Sequence, residues 1–255
     1  QAPSSSASPD LMRHRFHSLV DDMGALLKRT SISTNIRERL DFSCALLDAD
    51  GYLVVNAPHI PVHLGSMGVC VREVRKVISM EEGDVIITNH PAFGGSHLPD
   101  VTLIKPIFFK KKLVGYVANR AHHAEIGGSK PGSMPADART LDPEGVIISP
   151  MYLVRKGKPR WDAVSEILTH ARFPTRALQE NLADLNGALA SVHLGEQNLQ
   201  QLCKQYGERQ VRVQMSALRA YAASLLSDRI LRLPKKKFAA KEFLDDGSPL
   251  VVHIH

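Results

Sequence analysis

Apolar positions recur at helical spacing near both ends of this chain and gather into strand-like runs through its middle. From Leu11 to about Thr30, the residues Met12, Phe16, Leu19, Val20, Met23 and Leu27 form one stripe at a period of about 3.6 residues, with Asp10 placed to cap the helix. His14 and His17 fall off the stripe and read as surface residues. Phe42 to Leu47 and Tyr52 to Val55 flank an Asp48-Ala49-Asp50-Gly51 turn, the pattern of a hairpin that Asp41 opens. Helical periodicity returns from Met67 to Ile78, and Val85 to Ile87 reads as a short buried strand. Val101 to Phe109 and Leu113 to Val117 then make a second hairpin around Lys110-Lys111-Lys112. Gly145 to Val154 is a further strand candidate. From Trp161 the character changes: Trp161 to Thr169, Thr175 to Tyr206 and Glu208 to Arg232 read as helices. The middle one carries Leu178, Leu182, Leu185, Leu189, Val192 and Leu199 as a core stripe, with Arg172, Arg176 and Asn186 free to face a site. Lys237 to Phe243 and Leu250 to Ile254 close the chain as a hairpin around Asp245-Asp246-Gly247.

The pattern predicts an α+β fold: a mixed sheet-and-helix N-terminal region bearing the site, then long helices, then a C-terminal hairpin. The expected divisions are a flexible Ser- and Ala-rich tail over residues 1–10, the site-bearing region over 11–158, a helical segment over 159–233, and the start of a further β region over 234–255. That last strand runs to the end of the sequence, so the expectation is a partial chain of a longer protein.

Composition narrows the function. With 44% hydrophobic but only 5% aromatic residues in 255, the core must be aliphatic. A formal charge of +6 raises nucleic acid as a partner, yet the basic residues are scattered without interleaved aromatics, and Lys235-Lys236-Lys237 is a short solvated connection. Cys44, Cys70 and Cys203 are odd in number and far apart, which predicts buried free thiols in a reducing compartment. No apolar run approaches the roughly 20 residues of a membrane span, and no signal-peptide layout precedes Leu11. Cytoplasmic location is expected, with neither membrane nor nucleic acid as partner.

The chemistry gathers at the ends of the central hairpin. Gly94-Gly95-Ser96-His97-Leu98-Pro99-Asp100 precedes it and Asn119-Arg120-Ala121-His122-His123-Ala124-Glu125 ends it. A hairpin returns its far end to its near end, so His122 or His123 should meet His97 and Asp100. Two imidazoles and a carboxylate make a candidate divalent-metal site; the alternative is a set of polar strand-end residues that pin loops. His59 and His63 lie in a Pro-punctuated loop and are candidates for a pocket wall. The Gly-, Pro- and Ser-rich stretch from Ile126 to Pro135 fits neither the Walker phosphate loop nor a dinucleotide fingerprint, and reads as a lid or binding wall.

The motifs Arg37-Glu38-Arg39-Leu40-Asp41-Phe42-Ser43-Cys44-Ala45-Leu46, Ala57-Pro58-His59-Ile60-Pro61-Val62-His63-Leu64-Gly65-Ser66-Met67, Gly94 to Asp100, Asn119 to His123, and Pro131-Gly132-Ser133-Met134-Pro135-Ala136 resemble the hydantoinase B/5-oxoprolinase family, from Leu11 onward. The resemblance implies the B component of a two-part enzyme. An actin-like ATP-binding A component, of the hydantoinase A/5-oxoprolinase A type, phosphorylates the carbonyl oxygen of a lactam or hydantoin, and the metal-binding B component completes hydrolysis. A hetero-oligomer is expected. Carried over by position, the metal ligands are Asp41, His97, Asp100 and His122, a donor set that suits Zn, Mn or Fe. His123, Glu125, His59 and His63 become candidates for support, proton transfer or substrate contact. Related carboxylases and a non-catalytic assembly subunit with a structural metal remain alternatives. Where many relatives carry Asp, this chain has His90, and at the other such position Glu125.

Overall fold

The computed structural model describes residues 8–58, 63, 65–234 and 237–254. Its elements, in order, are α1 (Pro9–Thr30), α2 (Thr34–Arg37), β1 (Phe42–Asp48), β2 (Leu53–Pro58), α3 (Ser66–Val77), β3 (Val85–Thr88), β4 (Asp100–Phe109), β5 (Lys112–His122), β6 (Met151–Arg155), β7 (Lys158–Pro159), α4 (Trp161–His170), α5 (Leu178–Tyr206), α6 (Glu208–Leu231), β8 (Phe238–Phe243) and β9 (Pro249–Ile254). The fold is α+β, as the residue pattern predicts. The chain divides into two compact units, residues 1–216 and 217–255.

In the first unit the strands form one antiparallel sheet in the order β2-β1-β5-β4-β3-β6-β7. Its centre is buried on both faces, which is why β1 and most of β4 read as continuous apolar runs rather than alternating ones. On one face Ala45, Leu47, Ile86, Ile104 and Ala118 pack against Met67, Cys70, Val71 and Val74 of α3. On the other lie α1 and α5. Small residues let these helices approach: a Cβ on Gly187 would come 2.8 Å from Thr30 Oγ1, and one on Gly195 would meet the Met23 sulfur at 2.5 Å. The Ser191 hydroxyl donates to the Met23 carbonyl (3.0 Å), and the Asn119 amide ties β5 to the Ala188 carbonyl of α5 (2.8 Å). Lys105, buried on β4, is paired with Glu196 of α5 at 3.2 Å.

Three details differ from the sequence reading. Ser8, not Asp10, caps α1, because Pro9 takes the first helical position and leaves the Ser8 hydroxyl facing Leu11 N at 3.2 Å. The predicted strand from Gly145 shortens to β6, since residues 146–148 pair instead with Ile126 and Asn89. The long helix starts at Leu178 rather than Thr175, whose hydroxyl and the following backbone turn toward Glu125. All three cysteines are buried and free, as expected; burial pushes the Cys44 and Cys203 thiols up to about 12. The Lys235-Lys236 part of the basic run lies outside the described residues.

The second unit contains the end of α6 and the antiparallel β8–β9 hairpin. Its turn closes with Asp246 Oδ1 accepting from Ser248 N at 2.8 Å and Gly247 at φ 81°. Among the described residues, no helix is long and apolar enough to cross a membrane.

The segment that leads into β4 is fixed by one side chain. Asn89 is fully buried; its amide nitrogen donates to the Leu98 and Val146 carbonyls at 2.8 Å each, and its oxygen accepts from Ile148 N at 2.7 Å. Asn89→Ala leaves three buried backbone groups without partners, which costs roughly 3 kcal/mol or more. Differential scanning calorimetry should show Tm falling by roughly 6–12 °C, at about 2–4 °C per kcal/mol for a domain of this size.

Candidate metal centre

The register of the sheet builds the site. Asp100, the first residue of β4, lies directly opposite His122, the last of β5. On the other side of β5, Phe42 pairs with Ala121, and the ladder continues one step further: His122 N donates to the Asp41 carbonyl at 2.9 Å. Asp41, His122 and Asp100 therefore form one row across β1, β5 and β4, and cross-strand partners share a face of the sheet. His97 joins from the loop before β4, where the Asp100 N–H donates to the His97 carbonyl at 3.1 Å.

His97 Nε2 lies 3.2 Å from Asp100 Oδ1, His122 Nδ1 lies 3.3 Å from the same oxygen, and the two nitrogens are 3.1 Å apart. The Asp41 carboxylate stands 3.7 Å from His122 Nδ1. On its far side Asp100 Oδ2 faces His63 Nε2 at 3.3 Å, and His63 Nδ1 meets the buried Ser43 hydroxyl at 3.1 Å. Burial alone would raise the Asp100 carboxyl, but the imidazoles of His122, His63 and His97 outweigh it and hold the group well below the usual carboxylate range. The Asp100 carboxylate in turn raises His97 against the opposing effect of partial burial. The cradle is closed below and open at one edge: Asp100 is buried, whereas the His97 side chain is 35% exposed.

The residues present fit a divalent cation. Asp100 Oδ1 is buried and receives no aligned hydrogen bond, although two imidazole nitrogens stand beside it. Three donor atoms lie 3.1–3.3 Å apart, which matches the spacing of about 3.3 Å that a tetrahedral ion with ligand distances near 2 Å imposes. Among the described residues, His97, Asp100 and His122 are the group so arranged.

The remaining candidates take other positions. His123 is fully buried with Nδ1 2.8 Å from Asn181 Oδ1 of α5; burial lowers its pKa and the Asn181 bond only partly offsets that. Glu125 points into the adjoining loops. Its Oε1 accepts from Gly127 N and the Arg176 guanidinium, both at 2.8 Å, and its Oε2 from the Thr175 hydroxyl (2.7 Å) and Arg176 N (2.8 Å). Asn186 is exposed on α5, and His59 lies outside the described residues. His90 accepts from Ala92 N at 3.1 Å through Nδ1, capping the short 3-10 turn Pro91–Phe93. The sequence motifs contain Ser43 and Arg120 but assign them no role, and they leave out Asn181 and Thr175 as site residues; the cross-strand pairing of Ser43 with Arg120 and of Arg120 with Thr102 is the signal for the first two.

A family model described as Hydantoinase B/oxoprolinase matches residues 7–255. The chain belongs to the hydantoinase B/oxoprolinase family. It is 40% identical to 5-oxoprolinase 1 of Arabidopsis thaliana over 96% of this chain and 21% of the relative. It is 33% identical to the caprolactamase subunit beta of Pseudomonas jessenii, over 89% of this chain and 39% of that protein. The crystal structure of the ATP-dependent caprolactamase from Pseudomonas jessenii superimposes with a TM-score of 0.85 at 30% identity, covering 98% of this chain and 45% of that one. This chain thus spans about a fifth of the 5-oxoprolinase and less than half of the caprolactamase chain.

The Glu125 network makes a pH-resolved prediction. Burial would raise this carboxyl, but the Thr175 hydroxyl, the backbone N–H groups of Arg176 and Gly127 and the Arg176 guanidinium bring it below its ordinary value of 4.5. A carboxyl depressed on folding stabilises above its unfolded pKa and loses that contribution as pH falls through the folded one. Glu125→Gln should lower Tm at pH 7, and the gap to wild type should narrow below about 4.5 and close in stronger acid. A gap that stays constant across that range would show that the charge of Glu125 does not stabilise the fold.

Proposed function

We propose that this chain forms the metal-binding catalytic part of an ATP-dependent cyclic-amide hydrolase. Its substrate is 5-oxoproline, a hydantoin or a related lactam, phosphorylated on the amide oxygen by an ATP-binding A-type partner. The observation that carries the reading is the buried Asp100 oxygen, left without an aligned donor between His97 and His122. The likeness to a 5-oxoprolinase and to an ATP-dependent caprolactamase supports the substrate class. That one relative is a β subunit supports a partner chain and a hetero-oligomer, and the ATP dependence of the solved caprolactamase supports the cytoplasm.

Asp41, His97, Asp100 and His122 would hold the ion, with two carboxylate charges to match a divalent cation and an N/O donor set suited to Zn, Mn or Fe. When bound, such an ion supplies Lewis acidity, which lowers the pKa of water or polarises an oxygen of the activated substrate. A lactam amide is a poor electrophile, and phosphorylation of its oxygen makes the ring carbon open to attack by water. His63, backed by the Ser43 hydroxyl, stands 3.3 Å from Asp100 Oδ2 and would help orient the Asp100 carboxylate. His123, held by Asn181, anchors the end of β5 that carries His122. Glu125 ties the loop after β5 to the start of α5, so its part in this reading is to shape the wall beside the site.

Metal content by mass spectrometry tests this on protein purified without a histidine tag. Wild type supplied with Zn or Mn should hold about one ion per chain, and His97→Ala, Asp100→Ala and His122→Ala should each lose it. Asp41→Ala, at the rim, should weaken binding roughly 10–100-fold. With an A-type partner and ATP, lactam opening should fail in the first three variants. A wild type that takes up neither metal would remove the basis of the proposal. Full metal occupancy with no lactam opening in the presence of the partner would favour a structural role for the ion.

A further inference from the structure

One buried cation in the first unit has no acidic partner among the described residues. Arg120 is 0% exposed, and its guanidinium donates to uncharged groups. Nε donates to Thr102 Oγ1 at 2.8 Å, Nη1 to Ser66 Oγ at 2.7 Å and to Ser96 Oγ at 3.4 Å, and Nη2 to the Gly94 carbonyl at 2.8 Å. Burying a charge without a counter-charge is costly, and several charge-assisted hydrogen bonds are what offset it. A Met would pack there with no such demand, so what the fork holds together is informative.

It holds three separate segments behind the metal cradle. Arg120 pairs across the sheet with Ser43 on β1 and Thr102 on β4, which makes Ser43, Arg120 and Thr102 the row next to Asp41, His122 and Asp100 on the same face. The contacts to Gly94 and Ser96 fix the loop that ends in His97. That loop has little room elsewhere: a Cβ on Gly94 would come 2.7 Å from Cys70 N of α3, and one on Gly95 2.6 Å from the Asn89 carbonyl. The contact to Ser66 fixes the start of α3, and the Ser66 hydroxyl donates to the His63 carbonyl at 3.0 Å. One guanidinium thus sets the backbone of two of the three histidines that surround Asp100.

We propose that Arg120 is a positioning residue for the metal cradle, acting through the Gly94–Ser96 loop on His97 and through Ser66 on His63. The proposal rests on the metal reading above. A planar fork of five donors performs this task and the single ammonium of lysine does not, so even the charge-conserving substitution should fail.

The test is metal affinity of the 255-residue chain, stripped of metal and titrated with Zn(II) against a chromophoric chelator, beside the Tm of the metal-free protein. Arg120→Met and Arg120→Lys should weaken affinity about 10–100-fold, the range for groups that orient ligands. Ser66→Ala and Ser96→Ala remove one acceptor each at partly exposed positions; each should weaken affinity less, and together they should approach the Arg120 variants. This pair decides the matter if the Arg120 variants do not fold. Lys105→Met is the control, a buried cation of the same sheet paired with Glu196: it should lower Tm and leave affinity unchanged. If the Arg120 and serine variants lower Tm like the control while binding Zn(II) as wild type does, Arg120 is structural only and the proposal is overturned. If wild type itself binds no metal, the metal reading fails and takes this role with it, a result distinct from equal binding by all variants.

Discussion

Everything near the site depends on keeping one carboxylate out of water. Asp100 is almost completely buried at the mouth of the sheet, where an ionised group is stable only if opposite charge or well-aligned donors replace its hydration. Imidazoles from three parts of the chain converge on it, yet one of its oxygens remains without an aligned donor. On the proposed reading, a cation shared by Asp100, His97 and His122 would resolve that tension in a way hydrogen bonds among the same residues do not. The surrounding elements follow from this demand: His63 has to come off the segment before α3, His97 off a tight glycine loop, and His122 off the last position of β5.

The sheet meets the demand through register. Because side chains on a strand alternate between faces, residues two apart on β1, β4 and β5 form successive rows across one face. The outer row is Asp41, His122 and Asp100; the next is Ser43, Arg120 and Thr102; the third, with Ala45, Ala118 and Ile104, is apolar and packs on α3. Polarity thus falls from the mouth of the sheet inward, row by row. A slip of one residue in β5 would turn His122 to the opposite face and exchange Arg120 for Asn119 or Ala121, so the Lys110-Lys111 turn, with φ of 50° and 65°, and the register shift between Ile107 and Phe108 together set the site from its far end.

This division explains what the sequence disclosed. The helices, the central hairpin and the meeting of His97 and Asp100 with His122 were legible because each follows from local periodicity and from the fact that a hairpin folds back on itself. Asp41 was placed by resemblance alone; its own segment reads equally well as a capped strand start, and only the β1–β5 pairing puts it beside His122. Asn181 and Thr175 were not legible, since they reach His123 and Glu125 across fifty or more residues from a segment whose pattern reads simply as helix. Arg120 was read as part of a motif, but nothing in its immediate neighbours shows that its charge is buried. The start of α5 was misplaced for a related reason: the polar groups at 175 and 176 serve Glu125 better than they serve a first helical turn.

Asp100 and Glu125 show why residue type alone does not assign chemistry. Both are acidic, both lie at the ends of the same hairpin, and both have depressed pKa values. Glu125 has four donors for its two oxygens, two of them backbone N–H groups, so its charge is already satisfied by loop structure and a metal or a proton would have to displace those bonds. Asp100 has imidazole nitrogens at ligand-like spacing and an oxygen that no donor aligns with. An acid whose acceptor positions are filled by its own chain stabilises a loop, and one whose acceptor positions are left open in a buried pocket is available to a ligand. By that criterion the proposed chemistry falls on the Asp100 side of the hairpin, and Glu125 holds the conformation of the adjoining loops.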